Sequence, residues 1–314
     1  MAVDPFTGLD DPILSVLVPI QINDSNLTSS TVPEADYPAW SAVPTYPVGE
    51  RTTRAHRIYE SARDGNTNHD PTVDANRAPP APWWLDIGPT NRYAMFDGEI
   101  STQTEADTSV TVVLHPGPFN AIFLAGLDAE DLAITVRDSP GGAVTESVST
   151  PLEASAPPDY WEHFYDPYKP QTDYMLTGID PYHDAELEVT VSRSSGLVKI
   201  GILVVGDNAP LGLTLKGATA EPRSFNYIKT DDFGRTTIKK RKNARDMTAI
   251  ANVDIAEANS VLEKLTAVMG IPVVLSGTNL PQYSGLRGFG LVNGRLVYDK
   301  VDSATLNVTL QGLI

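Results

Sequence analysis

Cysteine is absent from this chain of 314 residues, so disulfide bonds, thiolate nucleophiles and cysteine-ligated metals are excluded. Because small secreted hydrolases are usually held together by disulfides, the absence favours a protein assembled in a reducing cytoplasm. Histidine is scarce, and its spacing matches neither HxxxH nor HExxH. The five histidines are His56, His69, His115, His163 and His183. The sequence therefore predicts no zinc site, and no residue is assigned as a metal ligand, while a metal bound by acidic loops stays open.

Basic residues and long apolar runs are also few. The chain has 23 Lys and Arg against 40 Asp and Glu, a net charge of −17. This balance argues against nucleic acid or an anionic membrane as the main partner, since both attract a basic surface. No run approaches the roughly 20 apolar residues of a membrane span. The apolar run Ile13–Ile22 is short, is interrupted by Pro19 and follows no basic segment, so we expect no export signal. It is instead predicted to be a buried or paired strand within an arm formed by residues 1–36.

Catalytic motifs are missing as well, because neither GxSxG nor a P-loop occurs. The loop Asp64–Asp70 begins like an EF-hand calcium loop. However, His69 stands at the sixth position, where glycine is needed, and Ala75 at the twelfth, where glutamate is needed. A plain turn is predicted there. Carboxylate pairs suited to glycoside cleavage stay open, because 40 acidic residues provide many candidates. We predict a protein that is not an enzyme and carries no cofactor.

Proline, glycine and short β-branched runs are abundant. With 25 prolines, 23 glycines and 41% hydrophobic residues, the composition favours a mainly β, multidomain fold. Five runs bounded by turn formers predict strands at 109–115, 120–126, 132–138, 186–193 and 197–206. Together these runs predict a β-sandwich over 93–215, which resembles the galactose-binding-like type. The aromatic segment 159–168 is predicted to cover an edge of this sandwich.

The C-terminal region 216–314 is predicted to be an α+β domain with one helix on a sheet. Apolar residues recur with the helical period over 255–269. Asp254 and Glu257 fit a capping box at the start of that helix, and Gly270 fits the residue that follows its end. The apolar run IPVVLSG comes directly afterwards and predicts a strand.

Residues 37–92 gather aromatic residues and turn formers without a helical or strand period, which predicts a small module with an aromatic core. The rings are Trp40, Tyr46, Tyr59, Trp83 and Trp84. Their spacing resembles that of type-3 chitin-binding modules, in which exposed rings stack on sugars. The positions after Tyr59 that would carry such rings are Glu60–Arg63, so most of the aromatic residues here are predicted to form the core. The resemblance leaves Trp83 and Trp84 as the candidate sugar-binding residues, whichever is exposed.

The segment WLDIGPTNRYAMFD and the C-terminal region resemble tail proteins of tailed bacteriophages. In the C-terminal region the resemblance consists of an Asp-Phe-Gly turn, a basic residue and a methionine, then a helix, a short strand and a closing strand. The matching residues are Asp232-Phe233-Gly234, Arg241, Met247, Pro272 and Gly312-Leu313. The resemblance implies a structural part of the tail tip or baseplate. A virion protein released by lysis needs no export signal, whereas a secreted sugar-binding enzyme does.

The segment Arg235–Arg245 is strongly basic and contains no acidic residue. Its basic residues are Arg235, Lys239, Lys240, Arg241, Lys242 and Arg245. Three interpretations are open: a solvated hairpin, an arm that faces DNA in a tail channel, and a strap between subunits. In the strap, the segment 230–234 would supply the acidic surface that the basic residues of a neighbouring copy contact. We predict subunit contact through these basic residues. The closing strand Ala304–Ile314 is predicted to contribute by pairing with its own sheet or with a neighbour's edge.

The sequence thus predicts a structural component of a phage tail tip or baseplate, a homo-oligomeric ring or collar that links the tail tube to host-contact parts. Its expected partners are other copies of itself and tail proteins such as tube, hub and fibre subunits, with a host surface glycan as a further candidate. Its expected location is the virion tail, after synthesis in the host cytoplasm. The alternative is a carbohydrate-binding accessory protein or a polysaccharide-cleaving enzyme.

Overall fold

The computed structural model describes residues 13–153, 170–230, 233–240, 243–278 and 281–313. Strands make up 54% of the described residues, which confirms the mainly β fold. In chain order the strands are β1 (Ile13–Pro19), β2 (Leu27–Ser30), β3 (Thr45–Tyr46), β4 (Arg51–Arg54), β5 (Arg57–Ser61), β6 (Asn66–Thr67), β7 (Trp84–Pro89), β8 (Thr104–Leu114), β9 (Ala121–Ala125), β10 (Asp131–Arg137), β11 (Val144–Pro151), β12 (Asp173–Thr177), β13 (Glu186–Ile200), β14 (Ile202–Thr214), β15 (Thr219–Ser224), β16 (Tyr227–Thr230), β17 (Thr236–Lys239), β18 (Asn243–Asp254), β19 (Val273–Ser276), β20 (Arg287–Val297) and β21 (Ser303–Gly312). The helix α1 spans Ala258–Ala267, and short 3₁₀ turns lie at Asp74–Asn76, Ala94–Phe96 and Pro281–Leu286. The predicted edge cover at 159–168 lies outside the described residues.

Nine strands form the largest sheet, in the order β12-β9-β14-β1-β19-β20-β21-β18-β15. The strand β14 pairs with β9 on one side and with β1 on the other. Near its end, Leu213 and Thr214 also pair with residues of β18. This last pairing closes β14, β1, β19, β20, β21 and β18 into a six-stranded ring. The large sheet is therefore a closed ring extended by β9 and β12 on one side and by β15 on the other.

One buried apolar cluster fills the ring, because all six of its strands contribute residues to the cluster. The helix α1 packs on the same cluster through Val261 and Leu265. The helix begins at Ala258, later than predicted, and the predicted capping box is wrong. Asp254 Oδ1 instead accepts a hydrogen bond from the backbone N–H of Ala256 at 2.8 Å, which forms a turn ahead of the helix. Glu257 occupies the N-cap position without a side-chain cap bond.

The second sheet has five strands in the order β11-β10-β13-β8-β2. Buried residues of β8, β10 and β13 form one cluster with residues of β9 and β14 from the large sheet, so the two sheets pack face to face. All five predicted runs lie in strands, but the run 197–206 is divided between β13 and β14. The division falls at Gly201, where a Cβ atom would come within 2.8 Å of the carbonyl oxygen of Ala125. Only glycine fits this close approach.

The predicted N-terminal strand is confirmed, since β1 is paired on both of its edges, with β14 and with β19. The residues Leu14–Leu17 are buried. The segment 13–19 is thus an internal strand of the large sheet. That sheet also contains strands from both sides of the predicted domain boundary at 215/216. The boundary therefore does not separate two sheets.

Residues 37–92 contain a three-stranded sheet, β4-β5-β7, and a two-stranded sheet, β3-β6. The rings of Tyr46, Tyr59 and Trp84 form a buried cluster, against which Trp40 and Trp83 pack. The predicted aromatic core is confirmed. This cluster is separate from the clusters of the two large sheets.

A protruding hairpin lies between β15 and β18. The strands β15 and β18 pair from Thr219↔Thr248 to Ser224↔Asn243, and beyond them β16 and β17 pair only with each other. We call the segment Tyr227–Lys239 the arm hairpin. The described residues of β16 and β17 are all exposed. The chain thus extends a two-stranded arm away from the large sheet.

Candidate functional site

Trp84, one of the two candidate sugar-binding residues, lies in the core of the aromatic module with 1% of its surface exposed. Its indole Nε1 donates a hydrogen bond to the carbonyl oxygen of His69 at 2.6 Å. The ring of Tyr46 contacts it edge to face, with centroids 5.1 Å apart. A buried ring with a satisfied N–H cannot stack on a sugar, so the assignment of Trp84 to a sugar site is wrong.

Trp83 is partly exposed, but its ring faces are covered by side chains of the same module. The guanidinium carbon of Arg63 lies 3.4 Å from the ring centroid. The ring of His69 stacks with Trp83 at a centroid distance of 3.8 Å and an interplanar angle of 13°. Two planar groups this close to one ring would overlap on a single face, so they occupy opposite faces. Burial and the charge of Arg63 lower the pKa of His69, which favours its neutral, stacking form. Trp83 therefore presents no free face to a sugar.

The arm hairpin has two different faces. Residues directly opposite each other in an antiparallel pair project to the same side. Ile228 therefore lies beside Ile238, and the hydroxyls of Thr230 and Thr236 approach to 3.1 Å on the same side. The opposite face carries Tyr227↔Lys239 and Lys229↔Thr237. The hairpin thus has an uncharged face with an isoleucine pair and a basic face with a tyrosine.

Both faces of the arm hairpin are open to solvent in the single chain. Ile228 is 65% exposed and Ile238 is 59% exposed. Phe233, in the loop between the strands, is 93% exposed. Large apolar side chains this exposed on a two-stranded arm are typical of a surface that becomes covered in an assembly.

The structure divides the predicted basic segment into parts. Arg235, Lys239 and Lys240 lie at or beside the arm hairpin and are exposed. Arg241 and Lys242 lie outside the described residues, as do Asp231 and Asp232 of the predicted acidic counterpart. Arg245 belongs to β18.

The side chain of Arg245 turns to the body of the protein. Its Nη1 donates to the backbone carbonyl oxygens of Arg287 at 3.1 Å and of Ser284 at 3.4 Å. These bonds hold the guanidinium against the large sheet, so Arg245 is separate from the arm hairpin, and its part in subunit contact stays a prediction.

The closing strand is also less available than predicted. β21 pairs with β18 from Asp254↔Ser303 to Met247↔Leu310, and with β20 along its other edge. Both edges of Thr305–Leu310 are therefore occupied by the chain itself. The option of pairing with its own sheet is confirmed, and the option of pairing with a neighbour's edge is wrong for these residues.

Sequence reasoning missed a histidine clasp that fastens the N-terminal arm to the aromatic module. His56 Nδ1 lies 3.0 Å from Glu34 Oε1, and His56 Nε2 lies 3.0 Å from Asp24 Oδ2. The ring stacks on Tyr93 at 3.8 Å, and the Tyr93 hydroxyl donates to Asp24 Oδ1 at 2.7 Å. The hydrogen bonds from Tyr93 and His56 lower the pKa of Asp24, while burial and Asp24 raise the pKa of Tyr93. The residues are far apart in sequence, so no local motif indicates the clasp.

Both ring nitrogens of His56 contact carboxylates, so the clasp ties Asp24 and Glu34 of the N-terminal arm to the aromatic module. Within the described ranges, no group of three or more His, Asp or Glu side chains is arranged to hold a metal ion. No described helix is both long and apolar enough to cross a membrane.

Comparisons with protein-family models, with curated proteins and with solved structures find no match to this chain.

Proposed function

We propose that this chain is a structural component of a phage tail tip or baseplate, in which copies assemble into a ring or collar between the tail tube and host-contact parts. The proposal includes a galactose-binding-like sandwich over 93–215 and an assembly region over 216–314. Its partners would be other copies of the chain and tube, hub or fibre subunits in the virion tail. The observation that supports the proposal best is the exposed arm hairpin.

The arm hairpin is poorly stabilised by its own contacts. An isolated two-stranded hairpin is marginal in water, since it buries little apolar surface. Here the isoleucine pair Ile228 and Ile238 and the loop residue Phe233 stay exposed. Covering apolar surface gains about 25 cal/mol per Å². We infer that a partner protein surface covers the isoleucine face and that this contact orders the arm.

A second copy of the chain is the partner that the charges favour. The segment 227–240 has four basic residues, Lys229, Arg235, Lys239 and Lys240, against two acidic ones, Asp231 and Asp232. Its net charge is therefore +2, whereas the chain as a whole has a net charge of −17. Such complementarity steers the encounter and fixes the orientation of the two surfaces. An arm that docks on a different surface of the next copy makes a head-to-tail contact, which produces a ring when the rotation closes.

The alternative of a carbohydrate-binding protein loses support from its own candidate residues. Trp84 is buried in the module core. Trp83 is covered on both faces by Arg63 and His69. Because sugar stacking needs an open ring face, we do not propose this alternative.

The proposal is tested by removing the arm. Replacing residues 225–242 with Asn-Gly would join Ser224 to Asn243, which face each other in the β15–β18 pair, through a tight turn. Native mass spectrometry and sedimentation of the full chain should detect a closed oligomer, and the shortened chain should be a folded monomer. The matched control is Lys300→Glu, which reverses an exposed charge elsewhere and should leave the oligomer intact. A full chain that is monomeric at about 100 µM, or a shortened chain that still assembles, would refute the proposal.

A further inference from the structure

A cavity of about 440 Å³ lies where β9 and β12 face β20 and the β15–β18 pair. Phe123, Phe289 and Leu313 give it an apolar lining. Asp173 lines it from β12, and Arg287 lines it from β20. The volume suits a small ligand, because ligand sites in proteins commonly measure about 300–1,000 Å³. The cavity shares no lining residue with the arm hairpin.

Three charged side chains line this cavity, and two of them, Asp173 and Arg287, have no hydrogen-bond partner among the described residues, whereas Arg245 donates to backbone carbonyl oxygens. Asp173 and Arg287 are both partly buried. Among the described residues, the Asp173 carboxylate makes no hydrogen bond or salt bridge, and the buried Nε–H of Arg287 has no hydrogen-bond acceptor. Buried polar groups in native proteins are normally hydrogen-bonded, and an exception calls for a specific explanation.

The pKa shifts of Asp173 and Arg287 also indicate that the charges of these two groups are not fully compensated. Burial raises the pKa of Asp173 although the charges of Arg245 and Arg287 act in the opposite direction. Burial likewise lowers the pKa of Arg287 although Asp173 opposes the change. The loss of hydration therefore outweighs the attraction between the two groups across the cavity. A ligand that pairs with both of them would relieve this cost on both sides.

We propose that the cavity binds a small zwitterion of the amino-acid type, whose carboxylate pairs with Arg287 and whose ammonium group pairs with Asp173. A guanidinium matches a carboxylate with two parallel hydrogen bonds, and a carboxylate accepts from an ammonium group. A ligand with a carboxylate alone leaves Asp173 unpaired, and a ligand with an ammonium group alone leaves Arg287 unpaired. The apolar lining by Phe123, Phe289 and Leu313 favours an apolar side chain on the ligand.

The first test uses the unmodified full chain and three probes. L-Phenylalanine should bind saturably in calorimetry or ligand-observed NMR. N-Acetyl-L-phenylalanine, which lacks the ammonium group, and L-phenylalaninamide, which lacks the carboxylate, should each bind about tenfold or more weakly, since each loses a charge-assisted contact. The proposal is overturned if neither L-phenylalanine nor L-leucine binds at about 10 mM, or if the blocked derivatives bind as well as the parent.

The second test changes the protein. Arg287→Gln and Asp173→Asn should each weaken L-phenylalanine binding by about tenfold or more. The matched controls are Arg295→Gln, which lies on the same strand as Arg287, and Asp131→Asn, which is an exposed strand position. Both controls should bind as the unmodified chain does. Unchanged binding in folded Arg287→Gln and Asp173→Asn would overturn the assignment, and the probe series decides the question if either variant fails to fold.

Discussion

Trp83 and Trp84 are neighbours in sequence, yet they have different surroundings. Trp84 is buried with 1% exposure, while Trp83 lies between the guanidinium of Arg63 and the ring of His69. Sequence analysis could name the pair but could not choose between its members. The choice depends on the register of β7 against β5, in which Ser61 faces Trp84, and that register is set by contacts distant in sequence. The covering of Trp83 depends on loop residues that no periodic pattern reveals.

At this scale we predict that Trp84→Ala destabilises the aromatic module by about 3–5 kcal/mol, because the change leaves a cavity in a small core. Trp83→Ala is the matched control and should cost clearly less, because that ring is partly exposed. Urea unfolding followed by near-UV circular dichroism and by limited proteolysis of residues 37–92 measures both. Equal losses for the two variants would contradict the core assignment of Trp84.

Among the elements, β8, β9, β10, β13 and β14 could be predicted, because their β-branched runs are bounded by turn formers, whereas β11 and β12 were not predicted. The closure of the ring could not be predicted. It depends on two residue pairs, Leu213↔Asn252 and Thr214↔Ala251, whose positions follow from the whole arrangement of the sheet.

The basic segment Arg235–Arg245 could be recognised in the sequence, but its division between the arm hairpin and β18 could not be predicted. Arg245 is held by backbone carbonyl groups, and an acceptor of that kind leaves no signature in side-chain composition.

For the arm hairpin we predict that its charge and its apolar face act differently in assembly. Reversing Arg235, Lys239 and Lys240 to Glu should slow association at low salt, and added salt should then speed association, because the new negative charges repel an acidic partner surface. Ile228→Ser with Ile238→Ser should instead speed dissociation, because those changes remove buried apolar contact. Surface-based kinetics at low and high ionic strength separates the two effects. Identical kinetic changes in both variants would argue against a two-faced arm.

For the histidine clasp we predict a loss of stability on acidification. The hydrogen bonds from Tyr93 and His56 depress the pKa of Asp24 in the folded state. A depressed carboxyl pKa contributes stability that is present above the unfolded pKa of about 3.9 and is lost as the pH falls through the folded value. Asp24→Asn should therefore be less stable than the unmodified chain at pH 6, and the difference should shrink below about pH 4.

Thermal unfolding at intervals between pH 6 and pH 3 checks this prediction, with Asp107→Asn as the control at a carboxylate outside the clasp. A constant difference between the unmodified chain and Asp24→Asn across this range would show that Asp24 contributes nothing through its charge.

At the scale of the whole molecule, the chain joins an aromatic module to two facing sheets, the larger of which closes partly into a six-stranded ring and carries the protruding arm. We predict that the purified protein releases no reducing sugar from bacterial polysaccharides or peptidoglycan, because neither GxSxG nor a P-loop occurs in the sequence and both candidate stacking rings are covered. An active hydrolase serves as the control in the same assay. Sugar release that disappears on replacing a single Asp or Glu with its amide would contradict the prediction.

The central position of β1 in the large sheet has a consequence for the order of events during synthesis. Its partners β14 and β19 lie far downstream, so the apolar segment Ile13–Pro19 leaves the ribosome long before either partner exists. At roughly 5–20 residues per second, the delay before Ile202 appears amounts to roughly 10–40 seconds. Through that interval the nascent chain carries an unpaired apolar strand, which we expect chaperones or temporary contacts to cover. Arrested nascent chains that end before β14 should accordingly remain open to proteolysis at Ile13–Pro19, and chains arrested after β19 should be protected there.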